Sequence, residues 1–505
     1  MRILRLTGRD LTLESLRAVA DREARAALAP PARRAIAASR RAVEAALRRR
    51  DRVYGLTTGF GNFANVEISP AEIEVLQRNL VRSHAAGVGE PLPDRAVRAM
   101  MVLRANALAR GFSGVRPSTV ETLLAMLAAD LLPVVPRQGS VGASGDLAPL
   151  SHLALALIGE GEVRRRGRRL PAGRALAAAR IRPVTLGAKE GLALINGVQM
   201  SVAVGGLALE RAIFLSKAAD LCGAATLDAS RGSDAAFDAR IVGARPHPGA
   251  IASARNLRRL LAGSAIRESH RGCGRVQDNY ALRCMPQVHG AARDAFAHAR
   301  EVLEREMNSA TDNPLVFPGR GDIVSGGNFH GAPVGFVLDY AALAAADLAS
   351  ISERRIAKLV NPATSELPAF LVEKGGLNSG LMLAQVTAAA LVSESKTLAH
   401  PASVDSIPTS ADKEDHVSMS PIAARKLSTI VENLEWVLAI ELMSAFQAME
   451  FLRPLPSSRP IERVRRAFRR VVEPWTEDRR LAPDLQASRQ FLSSPSFLDA
   501  VGSLA

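Results

Sequence analysis

Two long stretches rich in alanine and leucine, both in the second half of the sequence, constrain the fold more than any other feature. One covers Pro333–Val360, and the other covers Ala423–Leu452, where an apolar run from Trp436 to Ile440 is followed by Glu441. Apolar residues recur in both at helical spacing, so each stretch predicts one long helix. A helix that is apolar on most sides has to be covered on most sides, which indicates a bundle core or a subunit interface.

Composition also favours helix over sheet. Hydrophobic residues make up 48% of the 505 residues and aromatic residues only 4%, and Ala and Leu dominate where Val, Ile, Tyr and Trp would mark strands. A chain of this length exceeds what one compact core usually holds. We therefore expect an all-α fold, an elongated bundle of long near-parallel helices at 201–505 that also mediates oligomerisation, preceded by a loop-rich N-terminal region at 1–200.

The chain is strongly basic, with a formal net charge of +15. A basic surface attracts nucleic acid regardless of sequence, but these arginines alternate with acidic residues and no aromatic-rich basic motif accompanies them. We therefore expect a solvated charged surface and no nucleic-acid partner. The segment VRRRGRRL at Val163–Leu170 predicts a small hairpin that turns near Gly167, with its arginines in solvent.

Cysteine content and the amino terminus indicate a cellular compartment. The three cysteines, Cys222, Cys273 and Cys284, match no metal-site spacing, and an odd number does not suit a disulfide framework. The amino terminus carries charges throughout and has no apolar core of a signal peptide. The longest uncharged run, Gly191–Leu209, contains polar amides and several glycines and is a poor membrane span. We expect a cytoplasmic protein with no membrane partner.

The segment GSVGASGDLAPLSH at residues 139–152 is the most informative for chemistry. The small residues Gly142–Gly145 allow a tight turn, and Asp146 and Pro149 stand where an N-cap and a first-turn proline belong. The turn is therefore aimed at the positive end of a helix. A simple helix entry is one reading of it. A hydrolase nucleophile at Ser144 is excluded, because the Gly-x-Ser-x-Gly motif requires glycine where Asp146 stands.

This segment resembles the signature of the aromatic amino acid ammonia-lyases, and further blocks similar to that family follow along nearly the whole chain. The blocks are YGLTTGFG at 54–61, LVRSHAAGVG at 80–89, KEGLALING at 189–197, RVQDNYALRCMPQVHG at 275–290, NSATDNPLVF at 308–317, SGGNFHG at 325–331 and EDHVSM at 414–419. Each is weak alone, and together they are similar to the histidine-acting branch. The resemblance implies elimination of ammonia from L-histidine to give trans-urocanate.

The resemblance also implies a self-made electrophile. In the family an Ala-Ser-Gly tripeptide, here Ala143, Ser144 and Gly145, cyclises and loses water to form a 4-methylidene-imidazol-5-one. The residue types suit this chemistry, because Gly145 offers an unhindered amide nitrogen to the carbonyl carbon of Ala143. Loss of the Ser144 hydroxyl leaves the exocyclic methylene. No dissociable cofactor and no metal are implied.

Tyr54 and Arg283 are the implied base and carboxylate clamp. A tyrosine has a pKa near ~10, so a base at Tyr54 needs a positive environment to work near neutrality. The planar guanidinium of Arg283 can hold both oxygens of the substrate carboxylate. Tyr280 and Gln277 are implied contacts of substrate or cofactor, and would share a helical face with Arg283 if this segment is helical. A packing tyrosine and a surface arginine are the alternatives.

Asn196 and Phe329 are implied to lie near the electrophile. Asn196 precedes Gly197 at the start of an apolar helix, so an N-cap role is an alternative, and a cap aimed at the electrophile's oxygen would satisfy both readings. Phe329 stands between Asn328 and His330 in a glycine-rich loop. Its position alone is equally consistent with a phenylalanine of the core.

Substrate choice depends on His84 and Glu414. The pair Ser83-His84 matches the histidine-acting branch, and Glu414 stands where relatives acting on phenylalanine or tyrosine usually have glutamine. A carboxylate can accept the N–H of the substrate imidazole while His84 holds the ring. Polar residues with satisfied hydrogen bonds are the alternative. A zinc site at 414–416 is not expected, because three consecutive residues cannot converge on one ion in a regular helix.

Three residues depart from the family pattern, namely Thr57, Lys413 and Asn279. They bear on substrate choice and leave a tyrosine or phenylalanine ammonia-lyase, or an aminomutase, as the first alternative. The second is a non-catalytic basic helical binding protein. The resemblance implies a homotetramer whose active sites each combine residues from three subunits, and the over-apolar helices are consistent with large buried interfaces.

Overall fold

The computed structural model describes residues 2–505, and over these residues the chain is mainly helical with a few short strands. The first helices are α1 (Leu13–Ala20), α2 (Pro30–Arg49), α3 (Ile73–His84), α4 (Asp94–Ala109), α5 (Pro117–Ala128), α6 (Leu147–Leu157), α7 (Ala172–Ala178), α8 (Glu190–Ile195), α9 (Gln199–Ala229), α10 (Ala239–Ala244) and α11 (Pro248–Leu261). They are followed by α12 (Ala265–Glu268), α13 (Tyr280–Arg283), α14 (Met285–Met307), α15 (Ala332–Val360), α16 (Pro362–Ser365), α17 (Met382–Leu398), α18 (Ser420–Glu450), α19 (Arg459–Phe468), α20 (Leu481–Phe491) and α21 (Pro495–Gly502). The predicted helical fold class is confirmed.

The described residues form two compact units. The first comprises residues up to Glu210 together with Ala299–Asp339 and Pro401–Arg425, and the second comprises Arg211–His298, Tyr340–His400 and Lys426–Ala505. The division at residue 200 made from the sequence stays a prediction.

The strands of the first unit form four small sheets. The strands are β1 (Arg2–Leu6), β2 (Ala24–Leu28), β3 (Val88–Pro91), β4 (Leu132–Pro133), β5 (Pro136–Gln138), β6 (Glu162–Arg165), β7 (Arg168–Pro171), β8 (Leu315–Phe317) and β9 (Asp322–Val324). Strand β1 runs parallel to β2, while β3 with β5, β4 with β6 and β7, and β8 with β9 are antiparallel. Arg166 and Gly167 both have positive φ, 50° and 78°, as a type I′ turn requires. The predicted hairpin is therefore confirmed.

The two long apolar stretches form α15 and α18, as predicted, with ends that differ by a few residues from those read off the sequence. Helix α15 is long and apolar enough to cross a membrane, but 72% of its most apolar window is buried inside the protein. A core helix of a globular protein has the same property, because its apolar residues are covered by neighbouring elements.

A buried ionic network in the second unit joins three long helices. The Glu441 carboxylate of α18 accepts hydrogen bonds from Arg355 of α15, at 2.5 Å from Nε and 2.8 Å from Nη2. It also accepts from Ser352 Oγ at 2.5 Å and from Thr226 Oγ1 of α9 at 2.9 Å. All four residues are fully buried. Each oxygen of the Glu441 carboxylate thus accepts two hydrogen bonds. A buried charge is tolerated when it is paired and hydrogen-bonded in this way.

Candidate active site

A cavity of about 1090 Å³ in the first unit collects most of the predicted site residues. Its wall is built from the glycine-rich loop after α2, the second half of α3, the turn before α6, the end of α8 and the loops near residues 329 and 410–416. The predicted residues that line it are Tyr54, His84, Ala143, Ser144, Asn196, Phe329 and Glu414. Gly145 follows Ser144 in the same turn.

At both ends of the turn at 142–145, the surrounding atoms leave room only for glycine. Gly142 and Gly145 have φ of +74° and +78°, a region that side chains disfavour. A Cβ at Gly145 would lie 2.3 Å from the carbonyl oxygen of Gly197, and one at Gly142 would lie 2.3 Å from Ser418 Oγ. The turn is held by a parallel bridge between Gly145 and Gly197, with a 2.7 Å hydrogen bond from the Asp146 N–H to the Gly197 carbonyl.

Asp146 occupies the predicted N-cap position of α6, but its side chain makes no capping hydrogen bond. Its carboxylate instead accepts from the backbone N–H of Ser201 at 2.8 Å and from Ser201 Oγ at 2.9 Å. The carboxylate is completely buried. Burial raises the pKa of Asp146 to about 6, although the bonds from Ser201 oppose this. The N-cap prediction is therefore correct for the position and wrong for the contact.

Ser144 and Glu414 are joined directly. Ser144 Oγ donates to Glu414 Oε1 at 2.7 Å, while Thr409 Oγ1 and Ser410 Oγ donate to Oε2 at 2.8 Å and 2.7 Å. Burial alone would raise the pKa of Glu414, but these hydrogen bonds outweigh it and hold the pKa below its usual value. The carboxylate is therefore ionised at neutral pH and placed beside the serine of the tripeptide.

His84 is the last residue of α3 and lies on the same cavity wall as Glu414. Its Nδ1 is 3.0 Å from Ser83 Oγ. Burial lowers the pKa of His84 and outweighs both its backbone hydrogen bond with Leu80 and the attraction of Glu414. A neutral imidazole has one donor and one acceptor nitrogen. Since Nδ1 is paired with Ser83, Nε2 is the atom of His84 that can bind a second imidazole.

Tyr54 is fixed by its own loop. The backbone N–H of Gly61 donates to Tyr54 Oη at 3.1 Å, and the ring packs edge-on against Phe60 with centroids 6.2 Å apart. Thr57, one of the atypical residues, does not line the cavity. Its Oγ1 donates to the Asp51 carbonyl at 2.8 Å and so closes the base of the loop.

Asn196 ends a helix, which rules out the alternative interpretation that it caps the start of one. It is the C-cap of α8, and α9 begins three residues later at Gln199. Its backbone carbonyl accepts from Arg104 Nη1 at 2.7 Å, and its side-chain Oδ1 is buried without a hydrogen-bond partner. The side-chain Nδ2 donates to the Asn313 carbonyl at 3.4 Å. An unpaired buried acceptor costs free energy, so Oδ1 is available to a hydrogen-bond donor that reaches the cavity wall.

Arg104 is a positioning residue that sequence reasoning missed. It is fully buried in α4, and burial lowers its pKa to about 10, so it remains charged at neutral pH. Besides the Asn196 carbonyl it donates to Gln199 Oε1 at 2.8 Å. The signal was available, because an arginine interrupts the apolar run MMVLRANALA at 100–109, and an arginine is almost never fully buried unless it has a partner.

Gln277, Tyr280 and Arg283 lie in the second unit and do not line the cavity. Tyr280 and Arg283 form α13, and the guanidinium carbon of Arg283 lies 4.7 Å from the centroid of the Tyr280 ring. Gln277 precedes that helix in an irregular segment. Of the three residues predicted to share a helical face, only Tyr280 and Arg283 therefore lie on one helix. The Tyr280 ring is 70% exposed, and the atypical Asn279 beside it is exposed too, whereas Lys413 lines the cavity.

A family model described as aromatic amino acid lyase matches residues 11–470. The chain belongs to the aromatic amino acid lyase family. Among relatives, it is 57% identical over 499 residues to a histidine ammonia-lyase of Anaeromyxobacter sp. (strain K), which covers 96% of this chain and 98% of that protein. A histidine ammonia-lyase of Bos taurus is 50% identical, over 96% of this chain and 75% of that protein.

Solved structures of the family share this fold. The crystal structure of histidine ammonia-lyase from Trypanosoma cruzi superposes with a TM-score of 0.93 at 44% identity, covering 99% of this chain and 95% of that one. A tyrosine aminomutase from Streptomyces globisporus superposes with a TM-score of 0.94 at 37% identity, covering 100% and 99%. Because these two lyase-family enzymes fit almost equally well, the fold does not distinguish their substrates, and the cavity residues have to.

Proposed function

We propose that this chain is a histidine ammonia-lyase, which eliminates ammonia from L-histidine to give trans-urocanate, the first step of histidine degradation. The observation that carries this is one cavity holding an Ala-Ser-Gly turn, a tyrosine hydroxyl, and an ionised glutamate on the same wall as a neutral histidine. The names of the relatives at 50–57% identity support the same reaction.

The residues at 143–145 fit a methylidene-imidazolone made from Ala143, Ser144 and Gly145. Ring closure requires the Gly145 nitrogen to approach the Ala143 carbonyl, and the tight turn with a glycine at its end leaves that nitrogen unhindered. The side-chain Nδ2 of Asn196 on the cavity wall makes only a long hydrogen bond, to the Asn313 carbonyl at 3.4 Å, and this amide N–H is the group of Asn196 that could donate to the carbonyl oxygen of the ring. When formed, this ring supplies the electrophile that makes the substrate's amino group a leaving group. No dissociable cofactor is needed.

Tyr54 is the proposed base. Elimination requires a proton to leave the β-carbon of the substrate, and the oxygen of Tyr54 receives it in the phenolate form, because a neutral phenol already carries a proton. The N–H of Gly61 holds that oxygen in one position on the cavity wall. A fixed position within reach of the proton is the first requirement for a general base, and a suitable pKa is the second.

Glu414 and His84 are proposed to bind the substrate imidazole. Oε2 of Glu414 is held by Thr409 and Ser410, whereas Oε1 is occupied only by the hydroxyl of Ser144. Conversion of Ser144 removes that hydroxyl, so Oε1 becomes available to an imidazole N–H. A charge-assisted hydrogen bond of this kind is stronger than a neutral one, and a phenyl ring could not make it. The pair therefore selects histidine over phenylalanine.

The substrate carboxylate needs a cation that the cavity of one chain does not supply from the predicted set. We propose a homotetramer in which partner copies contribute Arg283 with Tyr280 and Gln277, so that each site combines residues from three subunits. Exposed apolar side chains on α15 and α17, such as Tyr340, Leu343, Leu383 and Val386, offer surface for such an assembly. We also propose a cytoplasmic location.

The deciding experiment is incubation of the purified protein with L-histidine, L-phenylalanine and L-tyrosine, each followed by the absorbance of the unsaturated product. Urocanate from L-histidine alone supports the proposal. Coumarate or cinnamate without urocanate supports a phenylalanine or tyrosine ammonia-lyase instead, and a β-amino acid product supports an aminomutase. The Ser144→Ala variant is the control, because it keeps the fold and should lose turnover with every substrate.

A further inference from the structure

A second cavity in the first unit, of about 500 Å³, shares no lining residue with the active-site cavity. It lies where β2, the hairpin β6–β7, α4 and the segment after α5 meet. Its charged lining consists of five arginines and one carboxylate, namely Arg22, Arg25, Arg98, Arg165, Arg166 and Asp130. The lining thus carries four excess positive charges.

The arginines divide into two that are fixed and three that are free. Asp130 pairs with Arg22 at 2.6 Å and with Arg98 at 2.9 Å, and Arg98 also donates to the Ala20 carbonyl at 3.3 Å. The side chains of Arg25, Arg165 and Arg166 form no hydrogen bond or ion pair with any residue in the described range 2–505. One wall is therefore rigid, while three guanidinium groups have all their donors available.

Folding alone does not account for this charge cluster. The remaining wall is mostly apolar, with Val19, Leu127 and Ala128 among its residues, so it offers no partner to the exposed side chains of Arg25, Arg165 and Arg166. The carboxyl end of α5 contributes roughly half a negative charge. That is too little to offset the excess, and like charges gathered around one cavity repel each other.

We propose that this cavity binds an anion with two or three linked phosphate groups, either inorganic or as the phosphate chain of a nucleotide. A guanidinium matches phosphate oxygens two at a time. If each phosphate group contributes about 1.5 to 2 negative charges, a diphosphate offsets the excess charge, which a single phosphate does not. The volume lies within the roughly 300–1,000 Å³ typical of small-ligand sites.

The test is calorimetric titration of the full-length protein with inorganic pyrophosphate, ADP, AMP and inorganic phosphate at low ionic strength. Pyrophosphate and ADP should bind more tightly than phosphate, and added salt should weaken both. Equal affinity for pyrophosphate and ADP assigns recognition to the phosphate chain, and tighter binding of ADP assigns part of it to the apolar wall. Either result supports the site, whereas no binding of either compound overturns it.

Two charge-matched variants separate this cavity from the general basic surface. Arg25→Gln/Arg165→Gln removes two free lining arginines, and Arg168→Gln/Arg169→Gln removes two exposed arginines of the same hairpin that do not line the cavity. We expect the first variant to weaken pyrophosphate binding on the order of tenfold or more and the second to leave it nearly unchanged. All four side chains are exposed, so both variants should melt near the wild type.

Equal loss of affinity in both variants would mean that pyrophosphate responds only to net charge, which overturns the proposal. So would tight binding of a single-stranded oligonucleotide that pyrophosphate does not displace, because the arginines would then belong to a nucleic-acid surface. Turnover of L-histidine serves as the check on folding, since neither pair of residues lines the active-site cavity.

Discussion

At the scale of single residues, the turn at 142–145 is defined by how little space surrounds it. Gly145 and Gly167 have the same φ of +78°, but a Cβ at Gly145 would meet the Gly197 carbonyl oxygen at 2.3 Å, whereas nothing lies within 4 Å of one at Gly167. Substitutions at these two glycines therefore distinguish the free-energy cost of the backbone angle from the cost of a steric clash.

We expect Gly167→Ala to lower the free energy of unfolding by about 1 kcal/mol, the strain of a left-handed residue alone. Gly145→Ala should cost roughly 3 kcal/mol or more, because backbone atoms have to move as well, and should abolish turnover of L-histidine. Thermal or urea unfolding of both variants checks this. Equal destabilisation by the two substitutions would show that the turn has room to relax.

Asp146 gives a prediction about pH. Its pKa is raised from 3.8 to about 6 in the folded protein, so the folded state holds this proton more tightly than the unfolded state does. The stability it contributes is full below the unfolded pKa and is lost as the pH rises through the folded pKa, a loss of about 3 kcal/mol by neutral pH.

The asparagine of the Asp146→Asn variant cannot titrate. The melting temperature of the variant should therefore rise relative to that of the wild type as the pH increases from about 4 to about 7. An amide oxygen can still accept from the Ser201 N–H. The measurement is the difference between the two melting temperatures across this range. A difference that stays constant with pH would show that the pKa of Asp146 is not raised in the folded protein.

Most site residues could be predicted from the sequence because they sit in short ordered blocks, and the cavity brings seven of them together. What the blocks could not give is the contact each side chain makes. Helix α8 is too short to show helical periodicity, so the sequence did not reveal that Asn196 ends a helix. Nor did it reveal that the Asp146 carboxylate binds Ser201 of α9. Arg104 was missed because its partners are far away in the sequence.

At the scale of elements, long helices were predictable and short ones were not. Helices α15 and α18 run for 29 and 31 residues, long enough for the apolar pattern to repeat many times. The four-residue helices α12 and α13 complete barely one turn, so no pattern can repeat. The parallel pairing of β1 with β2 depends on contacts that no local pattern encodes. The hairpin β6–β7 was predictable because its turn residues are local.

The Arg355–Glu441 pair is fully buried in the second unit. We therefore expect the stability of the helices that it joins to depend on both of its charges. Arg355→Leu leaves the Glu441 carboxylate buried without its countercharge, and we expect a loss of about 3–5 kcal/mol in unfolding free energy. The exposed pair of Arg33 and Glu121 is the control, and Arg33→Leu should cost under about 1 kcal/mol. Similar melting temperatures for the two variants would contradict a structural role for the buried pair.

At the scale of the whole molecule, the proposal requires more than one chain per active site. Ser144 lines the cavity and Arg283 does not, so chains carrying Ser144→Ala and chains carrying Arg283→Ala should each be nearly inactive alone. In mixed oligomers formed by co-expression, about a quarter of the sites would combine an intact serine with an intact arginine if the two come from different subunits. Recovery of activity on that order supports the proposal. Mixed oligomers that stay inactive would place both residues in one chain.

Conversion of the Ala143-Ser144-Gly145 turn into the electrophile of a histidine ammonia-lyase changes the mass of the chain, so the decisive measurement is the intact mass of the freshly purified active protein. We expect a mass lower than that of the sequence by two waters, about 36 Da, with the loss located in the peptide that spans 143–145. The Ser144→Ala chain should have the mass of its own sequence and show no turnover. A fully active wild-type protein with the mass of the unmodified sequence would refute a self-made electrophile.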